Sequence, residues 1–123
     1  MDHDHIVTDR IIRAAVEVHR QLGPGLLERP YKRALGIELA HQGMCIETNR
    51  HIPMAYRGEL IGEYIPDFIV ENTVVVEVKS VSHLEPVFTA QFITYLRLTN
   101  LRVGLLLNFN APKLVDGLKR LVL

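Results

Sequence analysis

Asp67 follows Pro66, and ten residues further on a run of valines ends in Glu77-Val78-Lys79. Two carboxylates and an ammonium thus stand where a core strand pair should be apolar, and burying them unpaired would cost on the order of several kcal/mol. The run from Gly62 to Ser80 reads as two strands, Glu63–Val70 and Val74–Lys79, joined by Glu71-Asn72-Thr73. β-Branched and aromatic residues flanking a turn-prone asparagine are the signature of a hairpin. Side chains alternate along a strand, so Glu77 and Lys79 share one face and Val74, Val76 and Val78 the other. A three-residue loop pairs position 67 with position 77 and sets the carboxylates side by side, whereas a two-residue loop would turn Asp67 to the wrong face. The odd loop, or an equivalent bulge, is the expectation.

Neighbouring carboxylates repel, and either a raised pKa or a cation relieves the repulsion. Mg²⁺ suits such a pair, because it takes one or two carboxylates and leaves its other positions to water and substrate phosphate. Lys79 adds a point charge on the same face, placed to hold or deprotonate a water or to stabilise a charged phosphoryl transition state. The set suits phosphodiester hydrolysis. The same three residues also suit an ion pair or an exposed polar sheet face, and their spacing alone does not separate these readings.

Two further segments bear on the choice. Gly25-Leu26-Leu27-Glu28-Arg29-Pro30-Tyr31 reads GxxExxY, and Gln91-Phe92-Ile93-Thr94-Tyr95 reads QxxxY on a later helix. Together with P-D…E-x-K they make the chain resemble the PD-(D/E)XK-like family named after its GxxExxY motif, which is similar to the RecB-like branch of the PD-(D/E)XK nuclease superfamily. The resemblance runs along nearly the whole chain, from Leu22-Gly23-Pro24-Gly25 to Leu101–Phe109. It implies a restriction-endonuclease-like core and a nuclease dependent on Mg²⁺ or Mn²⁺, with DNA placed ahead of RNA as substrate. It also implies Asp67, Glu77 and Glu28 as metal ligands with the Val78 carbonyl, Lys79 as the group orienting the attacking water, and Gln91, Tyr95 and Tyr31 as substrate-positioning residues. Plainer roles stand beside these: Glu28 as a carboxylate favoured at a helix N-terminus, and Tyr31, Gln91 and Tyr95 as half-buried packing residues. Pro30 departs from the pattern, since proline is tolerated only in the first helical turn, and it requires the helix carrying Glu28 to start near Leu26 to Arg29.

These residues need a scaffold, and 123 residues, 48% of them hydrophobic, suffice for one core. Thr8 to Gln21 reads as an amphipathic helix capped by Thr8, Pro30 to Gln42 as a second, and Cys45 to Tyr56 as a strand before a turn at Arg57-Gly58. After the hairpin, Pro86 to Thr99 reads as a helix and Leu101 to Phe109 as a central strand apolar on both faces. Leu114 to Leu123 is ambiguous between helix and strand. The order ααβββαβ predicts a single α/β domain over 1–123 with a mixed sheet flanked by helices, residues 1–7 being flexible.

The single Cys45 excludes a disulfide framework and the cysteine-ligated iron–sulfur cluster of some RecB-like relatives. No apolar run approaches a membrane span and the opening residues lack the pattern of a secretory leader, so the expected location is cytoplasmic, away from membranes. Fourteen basic and fourteen acidic residues balance, whereas duplex-gripping proteins usually carry a basic excess. Arg29, Lys32, Arg33 and Arg57 would then have to supply a local patch, and specificity would come from a homodimer, a larger partner or nucleic-acid shape. His3 and His5 alternate with acids in a segment expected to be disordered, His19 lies on an apolar helix stripe, and His83 follows Lys79 closely enough to approach a phosphate. Two other functions fit the same residues: a catalytically silent nucleic-acid-binding or protein-interaction module that retains the fold, and a structural homodimeric subunit.

Overall fold

A computed structural model describes residues 2–123; Met1, the first residue of the segment expected to be flexible, lies outside the described residues. The first helix, α1, runs His3–Leu22 rather than from Thr8. Asp2 is the cap, its carboxylate accepting from the His5 amide at 2.8 Å. The earlier start follows from the apolar stripe, which begins at Val7 and takes the buried Thr8 inside the helix, where its hydroxyl donates to the His5 carbonyl. A second helix, α2, spans Glu28–His41 and places Pro30 in its first turn, as the proline requires.

Five short strands follow: β1 (Ile46–Glu47), β2 (Ile52–Tyr56), β3 (Glu59–Tyr64), β4 (Phe68–Val70) and β5 (Val74–Lys79). Helix α3 (Pro86–Leu98), strand β6 (Val103–Asn108), a 3₁₀ turn and strand β7 (Leu118–Val122) complete the chain. The main sheet has the order β1-β4-β5-β6-β7, and β2 pairs with β3 in a separate ribbon. Only β5 and β6 run parallel in the main sheet, joined by the α3 crossover, so the sheet is mixed. The α/β architecture with a mixed sheet between helices is the expected one.

Two strands expected to be continuous are broken. Cys45–Tyr56 divides into β1 and β2, and Glu63–Val70 divides into the end of β3 and all of β4. Proline cannot donate to a ladder, and the chain leaves the ribbon and enters the main sheet at Ile65-Pro66-Asp67. The ambiguous C-terminal segment resolves into the 3₁₀ turn and the edge strand β7, antiparallel to β6.

The hairpin register is the anticipated one. Phe68 pairs with Val76, Ile69 with Val75 and Val70 with Val74, leaving Glu71-Asn72-Thr73 as the loop. Glu71 and Asn72 both take positive φ, 53° and 49°, and the Thr73 amide donates to the Val70 carbonyl at 3.0 Å. This is the two-residue turn favoured by strand twist, with Thr73 as the extra residue that makes the loop odd.

Alternation then divides the molecule into two layers. Val74, Val76 and Val78 face α1 and α2 together with Leu105 and Leu107. Val75, Ile69 and Leu106 face α3 through Phe92 and Leu96. Contact on the α3 side is close because β6 carries Gly104 beneath the helix: a Cβ there would stand 2.7 Å from the Phe92 ring. Gly104→Ala should therefore destabilise the fold by about 1–3 kcal/mol, the usual cost of overpacking, read from urea unfolding. Equal stability of variant and wild type would mean that Phe92 moves aside freely.

Candidate active site

The end of β5 emerges from the core with Glu77 and Lys79 on the α3 side of the sheet. β4 stops at Phe68, so the Val78 amide has no backbone partner on that side and is met by the Asp67 carboxylate, Oδ2 accepting at 2.8 Å. In return the Asp67 amide lies 3.3 Å from Glu77 Oε1. The proline break thus converts a ladder position into a side-chain contact, and it sets the two carboxylates against each other at the start of β4.

Glu77 is the most perturbed acid of the site. Burial and then the Asp67 charge push its carboxyl from the ordinary 4.5 up to about 7, against hydrogen bonds from Tyr64 and the Asp67 amide and the charge of Lys79. The Tyr64 hydroxyl donates to Glu77 Oε1 in a short contact, and burial and that carboxylate raise the phenol well above its usual range. The Tyr64 ring stacks on Tyr95 at 4.4 Å, 7° from parallel. Lys79 Nζ lies 5.3 Å from the centre of the Phe88 ring. Glu77, Lys79, Tyr64, Phe88, Gln91 and Tyr95 line one cavity of about 50 Å³, so the QxxxY residues share walls with the E-x-K residues.

A second cavity, of about 170 Å³, lies on the other side of Asp67 and is lined by Glu28, Arg29, Lys32, Asp67 and Val78. Glu28 is exposed at its rim, in the first turn of α2. Lys32, four residues along the helix, places Nζ 3.3 Å from Asp67 Oδ1. The expected metal ligands therefore fall into two sets that meet at Asp67: Glu28 and Val78 on one side, Glu77 on the other. Among the described residues no three acidic, histidine or cysteine side chains gather closely enough to hold an ion, so the three-carboxylate cluster does not form. On one side Lys32 pairs with Asp67 Oδ1, and on the other Tyr64 holds Oε1 of Glu77. The donor set still fits a hard divalent cation in kind, since its groups are carboxylate and carbonyl oxygens and Glu77 lacks full charge compensation.

Tyr31 differs from its expected part. It is fully buried, stacked on Phe109 at 4.9 Å, and its hydroxyl donates to the Gly23 carbonyl at 2.5 Å while accepting from the Leu26 amide at 3.1 Å. It touches the loop that carries Glu28 rather than any open space. That loop turns through positive φ at Gly23 and Gly25, 69° and 106°, conformations that favour glycine. Asn110 Oδ1 accepts from the Gly25 amide at 3.1 Å, and the Ser80 hydroxyl donates to the Leu26 carbonyl. GxxExxY is thus a latched turn followed by a helix start, with the glutamate at the exposed end.

Other expected residues lie apart. His19 Nε2 sits 2.8 Å from the Ala111 carbonyl, a structural contact, and His3 and His5 lie in the first turns of α1. Arg57 is in the β2–β3 turn, away from the Arg29, Lys32 and Arg33 group on α2. Lys32 is expected in a basic patch but not as the partner of Asp67, and Tyr64 is not expected at the site. Lys32 had a signal, its i+4 spacing from Glu28 on one helix face; Tyr64 had none, because it reaches Glu77 from the separate ribbon.

A model of the PD-(D/E)XK nuclease superfamily matches residues 5–121 of the chain. No curated protein and no solved structure matches it.

Two variants test the geometry. The raised pKa of Glu77 means that the folded state holds the proton more tightly than the unfolded chain, so stability falls as pH rises from 4.5 through about 7. Glu77→Gln should remove that loss, on the order of 3 kcal/mol, so that in chelator the melting temperature of the variant gains on wild type between pH 5 and 8. Parallel melting curves across that range would show that the carboxyl is not perturbed. Tyr31→Phe leaves a carbonyl and an amide without their partner and should cost about 1–3 kcal/mol in urea unfolding; an unchanged midpoint would remove the latch.

Proposed function

The chain belongs to the PD-(D/E)XK nuclease superfamily, and from that membership we propose that it is a divalent-metal-dependent nuclease hydrolysing phosphodiester bonds, with DNA as its substrate. The observation that carries the reading is the close pair Asp67 and Glu77 beside Lys79, with burial and the Asp67 charge raising the cost of negative charge on Glu77. A finer placement, with the GxxExxY family and the RecB-like branch, is supported by the latched turn at Gly25, Glu28 and Tyr31 and by Gln91 and Tyr95 sharing a cavity with Glu77 and Lys79.

Asp67, Glu77 and Glu28, with the Val78 carbonyl, are the groups that would hold Mg²⁺ or Mn²⁺, and because Glu28 and Glu77 lie in different cavities they would have to converge on Asp67 to share one ion. Such an ion supplies, when bound, polarisation of the scissile phosphate and neutralisation of its charge. Lys79 orients the attacking water through a hydrogen bond from Nζ, and Gln91 and Tyr95 position the substrate from the α3 wall. Tyr64 fixes Glu77 Oε1, and Tyr95 in turn backs the Tyr64 ring. Lys32 neutralises Asp67 Oδ1 and marks the place where positive charge is required.

That same lysine favours a second reading, a nucleic-acid-binding or protein-interaction module that keeps the fold without turnover. An ion pair already satisfies Asp67, and no acidic triad gathers among the described residues. Calorimetric titration with Mn²⁺ separates the two: a nuclease gives heat with wild type and little with Glu77→Ala, and a silent module gives none with either. On a panel of single-stranded, duplex and branched DNA and RNA with Mg²⁺ or Mn²⁺, Asp67→Ala and Lys79→Ala should each lower cleavage at least about 100-fold with melting behaviour retained. Undiminished cleavage by the Asp67→Ala protein would refute the assignment.

A further inference from the structure

A wide depression adjoins the site. It has a volume of about 750 Å³ and runs along the outer face of α2, from Arg29 to Ala40, against Ile46 and Thr48 at the β1 edge, with Phe68 beneath. Arg29 and Lys32 line this depression and also the smaller cavity that holds Glu28 and Asp67, so the two are neighbours. Three cations, Arg29, Lys32 and Arg33, crowd the end nearest Asp67, and no acidic side chain lines it. Among the described residues neither Arg29 nor Arg33 is in an ion pair. Lys32 is paired with Asp67, so in a chain with zero net charge Arg29 and Arg33 are the unmatched positive charge beside the site.

The far end is apolar. Ile37 is 58% exposed there, with Ala40, Ile46 and Phe68 around it. Gly36 lets α2 lie close on the Phe68 ring, where a Cβ would stand 3.3 Å from it.

We propose that this depression is a subsite for a single-stranded flank of the nucleic acid, its phosphates on Arg29 and Arg33 and one unstacked base against the exposed Ile37. Charge and shape select this occupant. Phosphates answer the cationic end, and the volume lies within the roughly 300–1,000 Å³ range of small-ligand sites, enough for a nucleotide. A base already free of its stack enters without the unstacking cost that a duplex incurs on releasing one. Apolar contact to a base tolerates sequence. The inference rests on the nuclease reading above and adds to it the strandedness of the substrate beside the scissile bond.

Fluorescence anisotropy in chelator, so that nothing is cut, measures it with labelled oligothymidylate and a labelled blunt duplex. Ile37→Asp and Arg33→Glu alter exposed residues of the depression, and Arg120→Glu alters an exposed residue of β7, at the opposite edge of the sheet. Wild type should prefer the single strand, and each of the first two variants should weaken its binding about tenfold or more while Arg120→Glu leaves it within about twofold. Duplex preference by wild type, an equal loss on both probes, or an equal loss in Arg120→Glu would overturn the subsite. So would unaltered single-strand binding by both depression variants; metal-dependent cleavage persisting in wild type would then leave the nuclease reading intact. Binding of neither probe by wild type would overturn the subsite, and an absence of metal-dependent cleavage in the same preparation would remove the nuclease reading with it.

Discussion

Two carboxylates share one poorly solvated corner at the end of β5, and the surrounding structure is arranged around that repulsion. Glu77 retains a proton affinity near neutrality because burial and Asp67 both oppose its charge. Four groups oppose the repulsion from different parts of the chain: the Tyr64 hydroxyl from the ribbon, the Asp67 amide from the sheet-to-sheet crossing, Lys79 from the same strand and Lys32 from α2. A sheet terminus built only for stability would fill this corner with apolar side chains, since replacing buried ionic groups by well-packed hydrophobes is often neutral or stabilising. Retention of the charges here accords with a site that meets a cationic or phosphate-bearing partner.

Geometry at this corner is held from behind by a polar network. Tyr31 latches the Gly23–Leu26 turn, Ser80 reaches the same turn from the end of β5, and Asn110 holds it from the segment after β6. Asn108, buried, accepts from the Val81 amide and donates to its carbonyl, each at 3.0 Å, which fixes the chain just beyond Lys79. The acidic residue at the head of α2 and the lysine at the end of β5 are therefore tied to one scaffold although more than fifty residues separate them in sequence. The bonds of Tyr31 and Asn108 are half-buried, where an unmade bond is costly, so they favour one arrangement, while those of Ser80 and Asn110 are exposed.

Local rules carried the reading a long way where a single element decided the outcome. The three-residue turn and its register followed from strand periodicity and from the residues of Glu71-Asn72-Thr73, and Pro30 placed the start of α2. The α/β class and the central, doubly buried β6 were legible in the order and apolar character of the segments. Errors arose where a neighbour intervened. Glu63–Val70 has the composition of one strand, yet Pro66 and the choice of partner divide it between two sheets. Thr8 has the character of a cap, yet its burial against the core extends α1 back to Asp2.

At the site the same division holds. Residue types and spacing by themselves established that Asp67 and Glu77 would lie next to each other with Lys79 on the face of Glu77, because strand alternation and an odd loop are local geometry. They also established the helix carrying Glu28 and the one-turn separation of Gln91 and Tyr95. Only the tertiary structure decided that Tyr31 is a buried latch, that Tyr64 holds Glu77, that Lys32 pairs with Asp67, and that Glu28 and Glu77 face different cavities. These depend on distances between elements that periodicity cannot supply, since a hydrogen bond or ion pair across the fold is set by how the layers pack and not by the pattern within any one of them.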